Sequence, residues 1–421
     1  MNRVVITGLG VIAPTAHGPA PFEQALREGQ SGITYRSDLA SLGCACQVGG
    51  VPAGVDLLRD RYFDSCLLTG MDRHAVLGCI AGLDCWQDAG LSRFRDGHVD
   101  WDTALSFGSG IGSLETVGKT LIPMTDAGRA RRMGSTIPER IMFSSASARL
   151  AGLLGIGGQV SSVSSACATG AEAIINGYRM VRDGAAARVL AGGCESDSPY
   201  IWASFDAMRV LSRSFNHEPE AASRPLSATA DGFVPAAGAG AILLETLDSA
   251  RARGAHIYAE MIGGAVNCGG QRNGGTMTAG NPEGARRCIR QAIRSAGIAP
   301  EEVDLISGHL TGTKADANEV GNWYCSLGLS RERFPLLNTP KSLFGHALGA
   351  AGAIECIAVI LQLWKSFVHP SRNCEDFHPE IAWCQSKVPR TCLEREIQVA
   401  AKASFGFGDV NACAVFRRFS N

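Results

Sequence analysis

Short apolar runs bounded by glycine or small polar residues alternate along the chain with longer stretches in which apolar residues recur every three or four positions. The first pattern predicts buried strands at Val4–Thr7, Ala104–Phe107, Val189–Ala191 and Ala241–Leu244; the second predicts helices at Phe22–Arg27, Ala168–Val181 and Ala285–Ala296. The last helix carries Arg286, Arg287, Arg290 and Arg294 on its basic face. Alternation of this kind argues for an α/β body in layers. No low-complexity linker divides the chain, and its softest boundary is Ser249–His256, just before a new strand at Ile257–Glu260. That boundary separates residues 1–255 from 256–421, two stretches of loosely similar order: strand, glycine, helix, reactive residue, helix, glycine-rich strand. A site at the seam would bring reactive residues of both stretches together.

Composition narrows the classes. With 45% apolar and 19% charged residues among 421, the chain can bury a large core and is not of the disordered kind. A net charge of −1 provides no global field for nucleic acid or an anionic membrane, so an acidic partner must meet a local basic patch. The 15 cysteines are an odd number in a large chain, and most stand inside apolar stretches, as small buried hydrophobes do. Cys44 and Cys46 are too close for an ordinary zinc pair and have no matching second pair, so no metal site is expected. No apolar run approaches the roughly 20 residues of a membrane span, and Met1–Gly8 moves straight into a strand-like run without a cleavage pattern. A reducing cytoplasm is the expected setting.

Four segments carry candidate chemistry. In Ser164-Ser165-Ala166-Cys167-Ala168-Thr169-Gly170, a β-like run (Val160–Val163) ends in small residues and Cys167 opens an alanine-rich helix. Partial positive charge at a helix start favours a thiolate, although a buried cysteine in a tight turn reads equally well from these residues. In Gly308-His309-Leu310-Thr311-Gly312-Thr313, a histidine precedes two hydroxyls two residues apart, which an extended loop presents on one side. The ordinary alternative is a loop histidine among turn formers. Lys341-Ser342-Leu343-Phe344-Gly345-His346 runs into an Ala/Gly helix that can pack closely and that reaches Glu355; both charges could orient or tune the histidine. Phe405-Gly406-Phe407-Gly408-Asp409 alternates aromatic and glycine residues, a pattern that suits either a gate or a plain turn. Gly8-Leu9-Gly10 with Ala13 fits a dinucleotide fingerprint, but Pro14 stands where a helix should run, and no convincing acidic residue follows a second strand.

Taken in this order the four segments resemble the β-ketoacyl-ACP synthase I/II family of condensing enzymes, nearly end to end. The likeness extends to Val4–Gly10, Gly108-Ser109-Gly110-Ile111-Gly112, Ala221–Pro225 and Asp231-Gly232-Phe233-Val234. The resemblance implies a thiolase-like fold: two pseudo-duplicated halves in five αβαβα layers. It implies a decarboxylating acyltransferase that condenses an acyl thioester with malonyl-ACP in a fatty acid, polyene or polyketide pathway. Cys167 would be the acylated nucleophile, His309 and His346 the malonyl-activating pair, and Lys341 and Glu355 their charged supports. The N–H groups of Phe407 and Cys167 would form the oxyanion hole, with the Phe407 ring as gate and Phe405 beside it. Thr311 and Thr313 would contact pantetheine, and Ile111 and Phe205 would line the acyl pocket. Arg209 matches a carrier-contact position, and Arg131 and Arg132 in the basic run after Gly128 could share that face. The implied partners are acyl carrier protein and a second subunit, identical or paralogous; no cofactor is implied beyond the carrier's phosphopantetheine arm.

Several positions depart from the family pattern: Leu310 for glycine, Ala403 for asparagine, Asp409 and Val410 for small residues, Pro235–Gly238 without the usual acidic residue, and Asp64–Leu68 without basic ones. These alter the rim, the gate and the carrier-facing side, and bear on the substrate more than on the reaction. A non-catalytic partner subunit of a condensing heterodimer is the rival reading, against which Cys167 argues. A degradative thiolase would need a second catalytic cysteine, and Cys413 lies within a strand-like Asn-Ala-Cys-Ala run.

Overall fold

The structure is a computed structural model that describes residues 1–92, 99–270, 277–278 and 280–420. Ten strands form its framework: β1 (Val4–Ala13), β2 (Thr103–Gly108), β3 (Val160–Val163), β4 (Arg188–Glu195), β5 (Gly238–Thr246), β6 (Ala259–Cys268), β7 (Leu305–Ser307), β8 (Leu336–Asn338), β9 (Val399–Gly406) and β10 (Val410–Arg418). With the short strand Ala16–His17 paired to β1, they hydrogen-bond in the order β8-β7-β9-β10-β6-β1-β5-β4-β2-β3. The order hides a repetition. The first five strands lie as first, fifth, fourth, second, third, and the last five repeat that arrangement outward from the β1–β6 seam. In each set the first two pairings are antiparallel and the last two parallel. A repeated topology of this kind is what the weak likeness between the two stretches of sequence reflects.

Six helices build the layers: α1 (Arg73–Asp88), α2 (Ser145–Leu154), α3 (Thr169–Arg182), α4 (Pro282–Ala296), α5 (Ala315–Leu327) and α6 (Ala351–Lys365). One core cluster packs α1 and α2 on the outer face of the first strand set, and another packs α4 and α5 on the outer face of the second. Between the two sets lie α3 and α6, in a third cluster that joins residues of both. The five layers are therefore helix, sheet, helix, sheet, helix, the thiolase-like arrangement. Strands buried on both faces read as continuous apolar runs because neither face meets water. All ten residues of β1 are buried.

The central layer is thin because its helices touch backbone to backbone. A Cβ on Gly170 would stand 2.7 Å from the Ala353 nitrogen, and one on Gly352 would stand 2.6 Å from the Ala171 nitrogen. The contact is reciprocal, glycine of one helix on alanine of the other, and a larger residue at either glycine would force the layers apart. Each helix is preceded by a single 3₁₀ turn, Ala166–Ala168 before α3 and Leu348–Ala350 before α6. The first residue of each turn has positive φ, 49° at Ala166 and 47° at Leu348, a conformation that costs a non-glycine residue energy and persists only where surrounding packing imposes it.

On this framework two expectations change, those for Cys167 and for the apolar helix, while the rejection of a dinucleotide loop stands. Cys167 lies in the 3₁₀ turn, one turn ahead of the helix the pattern placed it on. The Gly8-Leu9-Gly10 motif is mid-strand, where α1 presses on β1: a Cβ at Gly10 would fall 1.9 Å from the Ala81 carbonyl oxygen, so the glycines permit packing and form no phosphate loop. Finally, Leu348–Lys365 is long and apolar enough to cross a membrane by length and composition, contrary to the reading that no run approached this, but 89% of it is buried inside the protein. Its all-round apolarity follows from lying between two sheets.

Candidate active site

A cavity of about 350 Å³ opens where the two strand sets meet, and Cys167, His309 and His346 stand on its wall. One ligand atom from each lies within 4.8 Å of the others. The nucleophile turn is fixed by Thr169, whose hydroxyl donates to the Ala166 carbonyl at 2.7 Å and accepts from the Ser165 N–H at 2.9 Å. Opposite it, the end of β9 approaches so closely that a Cβ on Gly406 would lie 2.7 Å from the Ser165 carbonyl oxygen and 3.3 Å from the Cys167 nitrogen. The backbone entering Phe407 is thereby held against the Cys167 amide.

His309 follows β7. Glu319 of α5 accepts the backbone N–H groups of His309 at 2.6 Å and Leu310 at 2.8 Å, and Asp316 accepts those of Thr311 at 2.9 Å and Gly312 at 3.1 Å. Two acidic residues in the first turns of α5 thus wrap the loop and aim the ring into the cavity. Burial pushes the Glu319 carboxyl up to about 7, partly offset by those N–H donors. The hydroxyls of Thr311 and Thr313 meet at 3.0 Å and both residues line the cavity. His346 is held by its own backbone, its N–H donating to the Val234 carbonyl at 2.7 Å and its carbonyl accepting from Ala236 N–H at 2.9 Å. The two imidazoles lie edge to face with centroids 5.1 Å apart, and Phe233 and Phe405 pack on their outer sides.

Behind the histidines is a buried charge cluster. Lys341 is ion-paired to Glu355, and Lys402 stands 2.8 Å from the second Glu355 oxygen. Lys402 directs its protons to the Ala403 carbonyl and the Ser404 hydroxyl, so it meets Glu355 as a charge and not along a hydrogen bond. Lys341 also reaches the Nδ1 of His309 at 3.4 Å. An ammonium donates, so His309 Nδ1 accepts and its proton sits on Nε2. At His346 the Leu348 N–H donates to Nδ1 at 3.2 Å, which selects the same tautomer. Burial holds both rings well below the usual histidine range, and the neighbouring Lys341 and Lys402 charges push the same way. Both histidines are thus neutral donors at neutral pH.

The thiol behaves differently from the sequence expectation. Burial pushes Cys167 up to about 12; Lys341 opposes this, while Glu195 and Glu355 add to it. The helix start does not deliver a resting thiolate, because desolvation of sulfur outweighs it. Proton loss must accompany attack.

The structure therefore brings together Cys167, His309, His346, Lys341 and Glu355, with Phe205, Phe405, Phe407, Thr311 and Thr313 on the same cavity. Ile111 is not among the residues lining that cavity; it packs half-buried into the cluster that includes Phe205, Phe233 and Phe407. Arg131, Arg132 and Arg209 are exposed and are not among the residues lining the cavity, although Val210, next to Arg209, is. Two positioning residues escaped the sequence reading. Lys402 is a lone cation in the otherwise apolar Val399–Ala403 run, a signal that was present. Glu195, at the end of β4, accepts from the Ser109 hydroxyl at 2.8 Å and from the Gly110 and Gly349 N–H groups at 2.9 and 3.1 Å, tying the glycine loop after β2 to the turn before α6.

A family model for the N-terminal domain of β-ketoacyl synthases matches residues 1–250, and one for the C-terminal domain matches residues 258–375. The chain belongs to the β-ketoacyl synthase family. It is 35% identical to 3-oxoacyl-[acyl-carrier-protein] synthase 2 of Rhizobium meliloti and 33% identical to synthase 1 of Escherichia coli K12, each match covering all of both chains. Among solved structures it resembles a β-ketoacyl synthase from Burkholderia phymatum (TM-score 0.92, 26% identity) and the ishigamide ketosynthase/chain length factor (0.89, 28%), with full coverage of both chains in each case. It also resembles a type II polyketide ketosynthase solved with its acyl carrier protein (TM-score 0.87, 30% identity, full coverage). This β-ketoacyl synthase is a condensing acyltransferase, and its Cys-His-His trio is complete, so the reading as a non-catalytic partner is not favoured. A Cys-His-His donor set is also one a zinc ion could take, but a ketosynthase acting on carrier-bound substrates needs no metal for its reaction.

Proposed function

We propose that Cys167 carries the growing acyl chain and that His309 and His346 together activate malonyl-ACP. The observation that carries this is the convergence of one thiol and two neutral imidazoles of fixed tautomer on a single cavity. In the first half-reaction Sγ attacks the acyl thioester carbonyl and the carrier thiol leaves with the proton. The N–H groups of Cys167 and Phe407 receive the oxyanion, an assignment supported by the close approach at Gly406. In the second, the malonyl C–C bond breaks, CO₂ departs, and the electron pair moves into an enolate whose oxygen takes hydrogen bonds from the two Nε2–H groups. The enolate carbon then attacks the acyl-Cys carbonyl, expelling the Cys167 thiolate and lengthening the chain by two carbons. Lys341 and Glu355, with Lys402, are positioning residues.

Thr311 and Thr313 are assigned to the pantetheine arm, Phe407 to the gate, and Phe205 with Ile111 to the acyl end. The exposed Arg209, Arg131 and Arg132, which make no ion pair with described residues, are assigned to the acidic carrier. We take residues 1–255 and 256–421 as the two functional halves. A second subunit, identical or paralogous, is proposed on the β3 side: β3 is an edge strand with Val160 41% exposed, and Met142, Phe143 and Tyr200 are also exposed apolar groups. All 15 cysteines are free, which supports a reducing setting such as the cytoplasm.

The test separates the half-reactions. Intact-mass analysis should find an acyl adduct on the wild type and none on Cys167→Ala. His309→Ala and His346→Ala should each slow CO₂ release from malonyl-ACP by about 10²–10³-fold, the range for losing one oxyanion donor. Unimpaired CO₂ release in either variant removes that histidine from the mechanism.

A further inference from the structure

The cavity has a polar end that the condensation does not use. Asp409 lines it and is 4% exposed, two residues beyond Phe407 and in the left-handed conformation at φ 61°. Its backbone carbonyl is engaged by the N–H of Gly269 at 2.9 Å and the side-chain amide of Asn411 at 3.0 Å. Its carboxylate is not engaged: Oδ2 is buried and has no hydrogen-bond partner among the described residues. The group lies over the bare Cα of Gly269, where a Cβ would fall 2.1 Å from Oδ2, and near Gly280, just ahead of the N-terminus of α4. Asn281, Asn322 and Asn411 complete this polar wall. A carboxylate on a cavity wall, with one oxygen packed against backbone and no hydrogen-bond donor among the described residues, is costly when the cavity is empty of substrate and rewarding when a donor arrives.

We propose that Asp409 anchors an additional substrate subsite, one that accepts an N–H, O–H or ammonium donor carried by the thioester. The inference rests on the condensing-enzyme reading above and adds a specificity-determining residue to it. The donor can belong to the acyl chain, as a hydroxyl or amino substituent, or to the pantetheine arm, which is rich in amide N–H; the recognising chemistry is the same.

The experiment measures Cys167 acylation rates by intact mass with paired pantetheine thioesters in which a terminal hydroxyl replaces a methyl: 4-hydroxybutanoyl against pentanoyl, 6-hydroxyhexanoyl against heptanoyl, and 8-hydroxyoctanoyl against nonanoyl. Each is also presented on N-acetylcysteamine, which lacks most of the arm. Asp409→Gly and Asp409→Asn both suit a left-handed backbone. Every reading is a ratio within one variant, so a general loss of activity cancels. For a donor on the acyl chain, wild type prefers the hydroxy member at one length by about tenfold or more, and the preference collapses in Asp409→Gly. For a donor on the arm, the advantage of pantetheine over N-acetylcysteamine falls by a similar factor at every length. If both ratios are the same in wild type and Asp409→Gly, the subsite is overturned while the condensing reading stands. If wild-type Cys167 takes no acyl group from any thioester or from acyl-ACP, the condensing reading itself falls, and the subsite with it.

Discussion

Glu355 is the single carboxylate between two buried ammonium groups, with Lys341 1% and Lys402 and Glu355 0% exposed. Glu355→Gln keeps the shape and removes the charge, leaving two cations facing each other away from water. Breaking a buried pair from one side costs about 3–5 kcal/mol. An unfolding entropy of about 2.1 cal/mol/K per residue over 421 residues amounts to about 0.9 kcal/mol/K, so Tm should fall by about 3–6 °C. Burial already pulls Lys341 below the usual lysine range, and Glu355 is the principal group holding it up. Without that support the folded state binds the proton still less readily, while the unfolded chain keeps it up to about pH 10.4. The variant's deficit should therefore shrink as pH rises from 7 toward 10. A neutral Lys341 also ceases to fix the His309 tautomer, so CO₂ release should suffer more than Cys167 acylation. The assays are thermal unfolding at pH 7 and 9.5 and the two half-reaction rates. Adding Lys402→Met to Glu355→Gln should recover part of the stability by removing one stranded charge. A Glu355→Gln protein that melts with the wild type and decarboxylates normally refutes the reasoning.

Three further outcomes follow from the same site. Because both catalytic rings are held neutral well below the usual range, CO₂ release from malonyl-pantetheine should stay level between pH 7.5 and 5.5, and a tenfold loss per unit beginning near pH 6.5 would contradict this. The unfolded chain does protonate them below about pH 6.5, so stability should decline as pH falls from there, by up to about 1.4 kcal/mol per unit for each ring, measurable by denaturant titration across that window. Phe205→Ala removes a ring from the cavity wall and should admit primers about two methylenes longer, each worth about 0.8 kcal/mol of burial; a primer-length profile that shifts equally at all lengths would leave Phe205 a packing residue.

The layered fold was legible because strands buried on both faces write continuous apolar runs, as at Val4–Thr7 and Ala241–Leu244. The length of β1 was not, since Gly8 read locally as the boundary of the run Val4–Thr7, whereas the pressure of α1 that requires the glycines is a tertiary fact. No one segment singled out Cys167, His309 or His346; the trio was legible only through the family resemblance that the four segments carry together. The state of the thiol was not legible, because a helix start is local and desolvation is set by distant layers. Glu195 stayed hidden for the same reason: its donors come from residues 109, 110 and 349, which no window along the chain brings together. Ile111 was matched by motif alone; it packs half-buried into the cluster that includes Phe205 and Phe233 and is not among the residues lining the cavity.

The repeated strand order means that the molecule is built around an approximate internal dyad, and dyads make sites in pairs. The partner of the nucleophile turn is Leu348–Ala350, and the residue there that corresponds to Cys167 is Gly349. Its surroundings show what fills the place of a matching pocket. The end of β9 offers Gly406 to Cys167 and leaves room for substrate, whereas the end of β4 offers Glu195, whose carboxylate takes the Gly349 N–H and comes within 2.7 Å of where a Cβ would be. The second turn was left free to serve the first pocket instead, its Leu348 amide setting the tautomer of His346. One copy of the duplicated corner became the reactive centre, and the other, stoppered by a carboxylate, became its alignment jig.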